Sequence, residues 1–318
     1  QKPLGEAPCA PITNFAGPWR AGELSVAMNP AGFVDVAPSV SAYVGGDITS
    51  DMFVCGVASR SESTVLVDIG TNAEIVVGNR HRLIACAAPA GPAFEGHGLT
   101  CGMRAASGAL DRIRIADVAA EPEWTVIGGV RPAGVCGSGL IDFVAQAYAA
   151  GLLNPAGRFT EAPGGACPRL RKVTAGDTEH TAYEIATADQ ADGGEPILIT
   201  ERDIAALMQA KGVIFAAVQI ALKHFGHGPE EIDRFCLAGG FARHIDLDNA
   251  VAMGLLPDLP RDRFTFVGNG SLGGAFLALV DENVRTELPR LAARPTVIEL
   301  NLDPDFMDAY TMAMMLPG

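Results

Sequence analysis

In a chain of 318 residues, 23 Lys and Arg stand against 37 Asp and Glu, a formal net charge of −14. Binding to phosphate backbones runs on a Lys/Arg surplus, so nucleic acid is excluded as a partner. With 48% hydrophobic and 19% charged residues, the composition is that of an ordinary globular protein, long enough for one large domain or two lobes. No stretch reaches the ~20 uninterrupted apolar residues of a membrane span, and the first residues do not read as a signal peptide. Seven cysteines without a C-x-x-C pair make neither a disulfide framework nor a zinc site. Reduced thiols and a cytoplasmic location are expected. Glycine is the outlier: 37 residues, against a usual share of about 7%, cluster in short loops of the kind that let a backbone approach a ligand.

In chain order, residues 1–35 are rich in Pro and Gly and read as loops with one short strand. The stretch 38–58 predicts a helix that starts after Pro38. Two β-branched runs around VLVDIGTNAEIVVGN predict a strand hairpin over 64–78, with a third strand at 81–86. The Gly-rich segment 89–120 leads into a strand near 111–115, and strands at 123–127 and 130–135 precede a helix from Ser138 to Gly151. Residues 154–196 read as an irregular surface excursion with short strands near 169–173 and 183–187. Thr200-Glu201-Arg202-Asp203 resembles a capping box opening a long helix over 201–225. A buried strand at 235–237 runs into Gly239-Gly240 and another helix. A strand at 263–267, a helix in GNGSLGGAFLALV, a helix over 282–293, a strand at 296–300 and a core-facing Met-rich C-terminal helix complete the chain. Alternating strands and helices indicate α/β architecture.

Three motifs could carry chemistry. In Asp68-Ile69-Gly70-Thr71-Asn72 the turn amides could form an anion nest. Gly70 permits close approach, and the Thr71 hydroxyl and Asn72 amide can donate to phosphate oxygens. Asp68 would repel phosphate directly, so its chemistry would be to hold Mg²⁺ through water. The same five residues are also compatible with an ordinary hairpin whose Asp and Asn satisfy the turn. In Leu237-Ala238-Gly239-Gly240-Phe241, the Gly pair bares the junction of strand and helix, either for a flat nucleotide or for close packing. Asp47 in VGGDITSD stands 21 residues before Asp68 and is expected at the end of the helix leading toward the hairpin, so that helix and hairpin can bring two carboxylates to one cleft, for metal and for orienting water; an exposed helical Asp is the plainer alternative. Gly137-Ser138-Gly139 could bind an anion through free N–H groups but reads rather as a packing turn, and His224-x-x-His227 reads as a helix end rather than a metal pair. Cys86 and Cys101 read as buried inert thiols rather than redox groups, and Glu95 could be a lobe-contact or metal-site residue without an assigned role.

Taken in order, a carboxylate-bearing helix, a D-x-G-T hairpin and a distant strand–Gly–Gly turn resemble the second half of the actin/sugar kinase/heat-shock-chaperone ATPase fold, a ribonuclease H-like mixed sheet flanked by helices. The strings LVDIGTNAEIVVGN, AAPAGPAFEGHGLTCGMRAASGAL, GVCGSGLID, AKGVIFAAVQIAL and LAGGFARHI are similar to one branch, the C-terminal ATPase domain of the reductive activators of corrinoid enzymes. The resemblance implies that Asp68 serves Mg²⁺ and Gly70, Thr71 and Asn72 the phosphates of ATP. Gly239, Gly240 and Phe241 would shape the adenosine side, Gln209 and Lys211 would lie near the adenosine, and Asp47 would orient water or metal. It further implies an ATPase-type activity that drives one-electron reduction of Co(II) to Co(I) in a corrinoid protein or corrinoid-dependent methyltransferase, and a homodimer. Residues 1–60 would be a linking region and the helix of a first lobe, 61–268 the nucleotide-binding second lobe, and 269–318 a closing strand and helices.

The chain departs from the full pattern twice. Its cysteines lack the spacing of a plant-type ferredoxin cluster, and the first phosphate hairpin is not among its motifs. The expectation is a C-terminal piece of a longer protein, an incomplete two-lobed domain with weak or no ATPase activity alone, whose iron–sulfur cluster belongs to an upstream domain. A small-molecule kinase of the same fold (sugar or acetate type) and a non-catalytic nucleotide-gated binding module are the rival readings.

Overall fold

A computed structural model describes residues 17–160, 167–175 and 178–317. The expectation for residues 1–35 falls partly outside that range; Trp19–Arg20 (β1) and Phe33–Val34 (β2) pair within it. Helix α1 spans Gly46–Cys55. Three antiparallel strands follow, β3 (Thr64–Ile69), β4 (Ala73–Gly78) and β5 (Leu83–Ala88). A small sheet comes next, β6 (Ala109–Arg114), β7 (Glu123–Val126) and β8 (Gly134–Val135), then α2 (Gly137–Ala149). A second small sheet, β9 (Leu170–Ala175), β10 (Thr178–Ala186) and β11 (Ile197–Thr200), leads into α3 (Glu201–Phe225). The rest comprises β12 (Arg234–Ala238), α4 (Leu247–Ala252), β13 (Phe264–Gly268), α5 (Gly270–Val280), α6 (Glu282–Ala292), β14 (Thr296–Val297) and α7 (Phe306–Ala313).

The central sheet has the order β13-β12-β3-β4-β5-β14. It is mixed: β12 runs parallel to β3 and β13, while β3, β4 and β5 form an antiparallel meander. Strand side chains alternate between faces, and the sequence supplies an apolar set to each. Val65, Val67, Ile69, Ile75, Val77 and Ile84 join the larger core with α2 and α3. Leu66, Val76, Leu83, Ala85, Cys236 and Ala238 join a smaller core with Ile48 and Met52 of α1 and Leu291 of α6. Burying each large side chain stabilises by roughly 1.5–3 kcal/mol, so both faces hold the sheet.

Several boundaries differ from the sequence-based expectation. The helix foreseen over 38–58 exists only from Gly46: Gly45 is extended at its N-cap, and Gly56 ends it at φ 70 with its N–H on the Met52 and Phe53 carbonyls. The strand expected at 130–135 shrinks to two residues, because Gly128 and Gly129 turn the chain at positive φ. The excursion at 154–196 contains a regular hairpin, and β11 completes its sheet. After Gly239-Gly240 the chain makes a 3₁₀ turn, Ala242–His244, before α4. The C-terminal helix is not core-facing in its methionines: Met307, Met312 and Met315 are exposed, while Ala313 and Leu316 pack inward. Cys86 is fully buried as expected, but Cys101 is half-buried and accepts the Leu198 N–H. Helix α3 is long and apolar enough to cross a membrane by length and composition, yet most of it is buried inside the fold.

The cap on α3 matches the expectation from its sequence. Thr200 Oγ1 accepts the Asp203 N–H at 3.2 Å, and Asp203 Oδ2 accepts the Thr200 N–H at 2.8 Å. Thr200→Val therefore should lower stability by about 1 kcal/mol in urea unfolding, with Thr200→Ser near wild type; equal losses in both variants would contradict the cap.

Candidate functional site

Strands β3, β12 and β13 all end at one edge of the sheet, where ligands of α/β folds bind. Asp68 pairs in register with Ala238, so the hairpin tip and the Gly239-Gly240 turn are adjacent by construction. Gly239 sits at φ 88, and a Cβ there would lie 2.5 Å from Asp68 Oδ1. Its bareness is thus required by Asp68 and by the left-handed backbone together. Gly240 differs, since a Cβ there would meet open space. It is the Gly240 face that a ligand could lie against.

The hairpin turn is shorter than the sequence suggested. Asp68 and Ile69 still pair, with Glu74 and Ala73, so the tip is Gly70-Thr71-Asn72. The Gly70 N–H donates to the Asn72 carbonyl at 2.9 Å. That amide is committed to the turn, which corrects the expectation of a nest built from it; the exposed Thr71 and Asn72 side chains remain as donors. Thr71 Oγ1 donates to Glu95 Oε1 at 2.8 Å.

Behind the tip lie four carboxyl groups. Asp47 is in the first turn of α1, exposed, with Oδ1 accepting the Ile48 N–H. One turn later Asp51 is fully buried, and no N–H or O–H of the described residues reaches either oxygen. It is wedged where α1 crosses α5: a Cβ on Gly270 would collide with Asp51 Oδ1, and one on Gly274 with Ser50. Burial first, and the neighbouring Asp68 second, push Asp51 up to about 8. Burial, with Asp47 and Asp68, pushes Glu74 up to about 7. Burial likewise raises Asp68. Asp51 is therefore a proton-bearing acid at neutral pH, relieved by sharing that proton with Asp68. Sequence reasoning missed Asp51 and Glu74. The signals were present: Asp47 and Asp51 are i,i+4 on one helix, and Glu74 stands opposite Asp68 across the hairpin.

Among the described residues no three Asp, Glu, His or Cys groups converge on a point that would hold a metal. This argues against a bare ion caged by protein. It is compatible with Mg²⁺, which keeps waters and takes one or two carboxylates plus ligand phosphates; Asp47 and Asp68 are the carboxylates that would hold it. His224 and His227 turn to different partners, Asp303 and Ser63. Ser138 and its flanking glycines pack α2 against Asp111, Phe94 and Leu110.

On the other side of the turn, Phe241 packs at a tilt against Phe94, ring centroids 5.4 Å apart, and touches the start of α2 at Gly137. A cavity of about 560 Å³ lies between α2, α4 and the β6–β7 ribbon. Its floor is Asp142, held by Asn249 Nδ2 at 2.7 Å and pushed up to about 6 by burial. Arg112 Nη1 is buried there without a hydrogen bond, between Asp142 and Asp246, and Trp124 lines the wall. Lys211 and Gln209 are not brought to the turn. Lys211 Nζ donates to the Met315 carbonyl at 2.6 Å, deep beside Gly254, and Gln209 is exposed on the opposite turn of α3.

Comparison with known proteins agrees with this geometry. Residues 62–318 match the family model of the C-terminal domain of RACo, the ASKHA domain, and residues 1–60 match the RACo middle region. The chain is 31% identical to the corrinoid activation enzyme RamQ of Eubacterium limosum over 99% of its own length and 52% of that protein. It is 25% identical to the [Co(II) methylated amine-specific corrinoid protein] reductase of Methanosarcina barkeri, over 83% of this chain and 48% of that one. A solved structure of a reductive activator for corrinoid, iron–sulfur protein superposes with a TM-score of 0.91 at 39% identity, covering 99% of this chain and 49% of that chain. The chain spans about half the length of these relatives. It belongs to the RACo family, and its fold is the actin-like ASKHA fold.

The raised carboxyls predict a pH signature. Because Asp51 and Glu74 bind protons more tightly when folded, their contribution is fully present below about pH 4 and is lost as pH rises through 7 to 8. Without metal or nucleotide, Tm should fall between about pH 5 and pH 8.5, and Asp51→Asn should flatten that fall. An unchanged slope in the variant would contradict the assignment.

Proposed function

We propose, from membership of this family, that the chain is the nucleotide-binding part of a reductive activator that uses ATP to drive one-electron reduction of Co(II) to Co(I) in a corrinoid protein or a corrinoid-dependent methyltransferase. The observation that carries the reading is the shared edge: Asp68 and its Thr71-Asn72 tip adjoin the strand end that leads into Gly239 and the open Gly240. Terminal phosphates lie over the tip, where Thr71 and Asn72 donate to them. Asp68 and Asp47 would hold Mg²⁺ through water, and the bound ion would supply charge neutralisation at the phosphates. Asp51 keeps its proton beside Asp68 and so limits the negative charge packed behind the metal. The base passes Gly240 and Phe241 into the cavity along α2 and α4, where Asp142 and Arg112 offer an acceptor and a donor side by side to a heterocycle edge.

The rest of the activator is an extension of the same proposal. Leu272, Phe276, Leu279 and Val280 leave an apolar face of α5 exposed beside the α1 carboxylates. The relatives have about as much chain again as is matched here. A lobe from that portion, carrying the first phosphate hairpin, covers this face and closes over the site, a domain-closure device. The iron–sulfur cluster that passes the electron belongs to the same upstream portion, and a homodimer in a reducing cytoplasm suits the free thiols.

Two measurements test the reading on the full-length protein. In calorimetry Asp68→Asn should weaken Mg-ATP binding at least tenfold while leaving adenosine binding unchanged, and Arg112→Met should weaken both. In an absorbance assay of the corrinoid, ATP should be required for Co(I) to appear, and Asp68→Asn should abolish the ATP-driven formation of Co(I). Co(I) formation that ignores ATP, or Mg-ATP affinity unmoved by Asp68→Asn, would overturn it.

A further inference from the structure

Glu95 has no part in the reading so far, yet among the described residues it is the side-chain hydrogen-bond partner of the phosphate tip. Thr71 Oγ1 donates to Glu95 Oε1 at 2.8 Å. A threonine hydroxyl has a single proton to give, and phosphate oxygens at neutral pH only accept. The same proton cannot serve Glu95 and a phosphate. Either the ligand takes it from the carboxylate or the tip offers no hydroxyl donor at all.

The surroundings of Glu95 are built for such an exchange. It ends the short turn Pro92–Glu95, which is bracketed by Gly91 at φ 79 and Gly96 at φ 76. The left-handed backbone at both ends favours glycine, and a Cβ on Gly91 would meet nothing within 4 Å. The Gly91 N–H donates to the Thr71 carbonyl at 2.8 Å, so the turn is tied to the tip by backbone as well. Gly70 leaves the space between: a Cβ there would stand 3.9 Å from Glu95 Oε1. His97 Nδ1 lies 3.8 Å from Glu95 Oε2 on the open side and can receive the carboxylate once it lets go. Asp68 shares its strand face with Leu66 and the α1 core, and Phe94, next to Glu95, belongs to the core of α2 and α3.

We propose that Glu95 is a positioning residue that latches the Thr71 hydroxyl when no phosphate is present, and that a nucleotide's terminal phosphates open the latch by accepting the hydrogen bond of the Thr71 hydroxyl in place of Glu95. The proposal rests on the nucleotide reading above. It makes Glu95 a competitor of the phosphates and a discriminator: ligands with phosphates over the tip release it, and adenosine does not. Release loosens the Pro92–Glu95 turn, whose Phe94 packs on Phe241 at the base side.

The test uses the full-length protein with Mg-ATP and adenosine as probes. Glu95→Ala removes the competing acceptor and should tighten Mg-ATP binding about three- to tenfold, the range a single hydrogen bond supports, with adenosine affinity unchanged. Glu95→Gln keeps an acceptor without the charge and should fall between. In the Thr71→Val background Glu95→Ala should lose most of its gain. Amide hydrogen exchange at Gly96 and His97 should quicken in wild type with Mg-ATP and not with adenosine. Weaker or equal Mg-ATP affinity in both Glu95 variants, a parallel change for adenosine, or exchange indifferent to Mg-ATP would each overturn the latch. Wild-type protein that binds neither probe would instead overturn the nucleotide reading itself.

Discussion

Two carboxyl groups meeting in a dry helix crossing set the terms for this molecule. Asp51 is fully buried between α1 and α5 with no donor of its own, and Asp68 lies beside it on the central hairpin. Like charges at that separation cannot both ionise at low dielectric. One proton must stay, and the small residues around the pair are what let it stay. Gly270 and Gly274 bring α5 down onto Asp51 and Ser50, while Gly239 clears the other side of Asp68. A side chain at any of these positions would push apart the helix crossing or the strand end that defines the site.

That constraint accounts for the glycines around the pair, whose uses differ from that of their neighbour Gly240. Gly239 and Gly270 are bare because a carboxylate occupies their space; Gly240 is bare toward solvent. The sheet fixes the rest. Parallel pairing of β12 with β3 puts Ala238 opposite Asp68, so phosphate tip and Gly-Gly turn arrive together regardless of the loops between them. The two small sheets inserted between β5 and α3 do not disturb that register. One of them walls the cavity on the base side.

Much of the fold was legible in the sequence because its signals are local. The β-branched runs at 64–78, the capping box at Thr200 and the Gly-Gly strand end each declare themselves within a few residues, and their order carried the family resemblance. The site was legible in part. The structure places Asp47 near Asp68 and the hairpin of Asp68 next to the strand that runs into Gly239-Gly240; their roles toward a ligand are proposals. Asp51 and Glu74 went unseen because their meaning depends on which face of α1 meets α5 and on cross-strand register, both tertiary facts. Lys211 and Gln209 were placed by proximity in sequence to a helix that flanks the site, but helix phase sends Lys211 to the Met315 carbonyl and Gln209 to the surface. The methionines of α7 look like core by composition and are exposed because Phe306, Tyr310 and Ala313 already fill the contact with α3.

The account stands on one claim, that the carboxylate-backed hairpin tip receives a metal–nucleotide complex. Crystals of the full-length protein with ATP and Mn²⁺ in place of Mg²⁺ test it by anomalous diffraction. The predicted result is a manganese peak between the nucleotide phosphates and Asp68, bound directly or through one water, with Thr71 and Asn72 on the phosphate oxygens. A manganese–nucleotide complex bound away from Asp68 and the hairpin tip would contradict it.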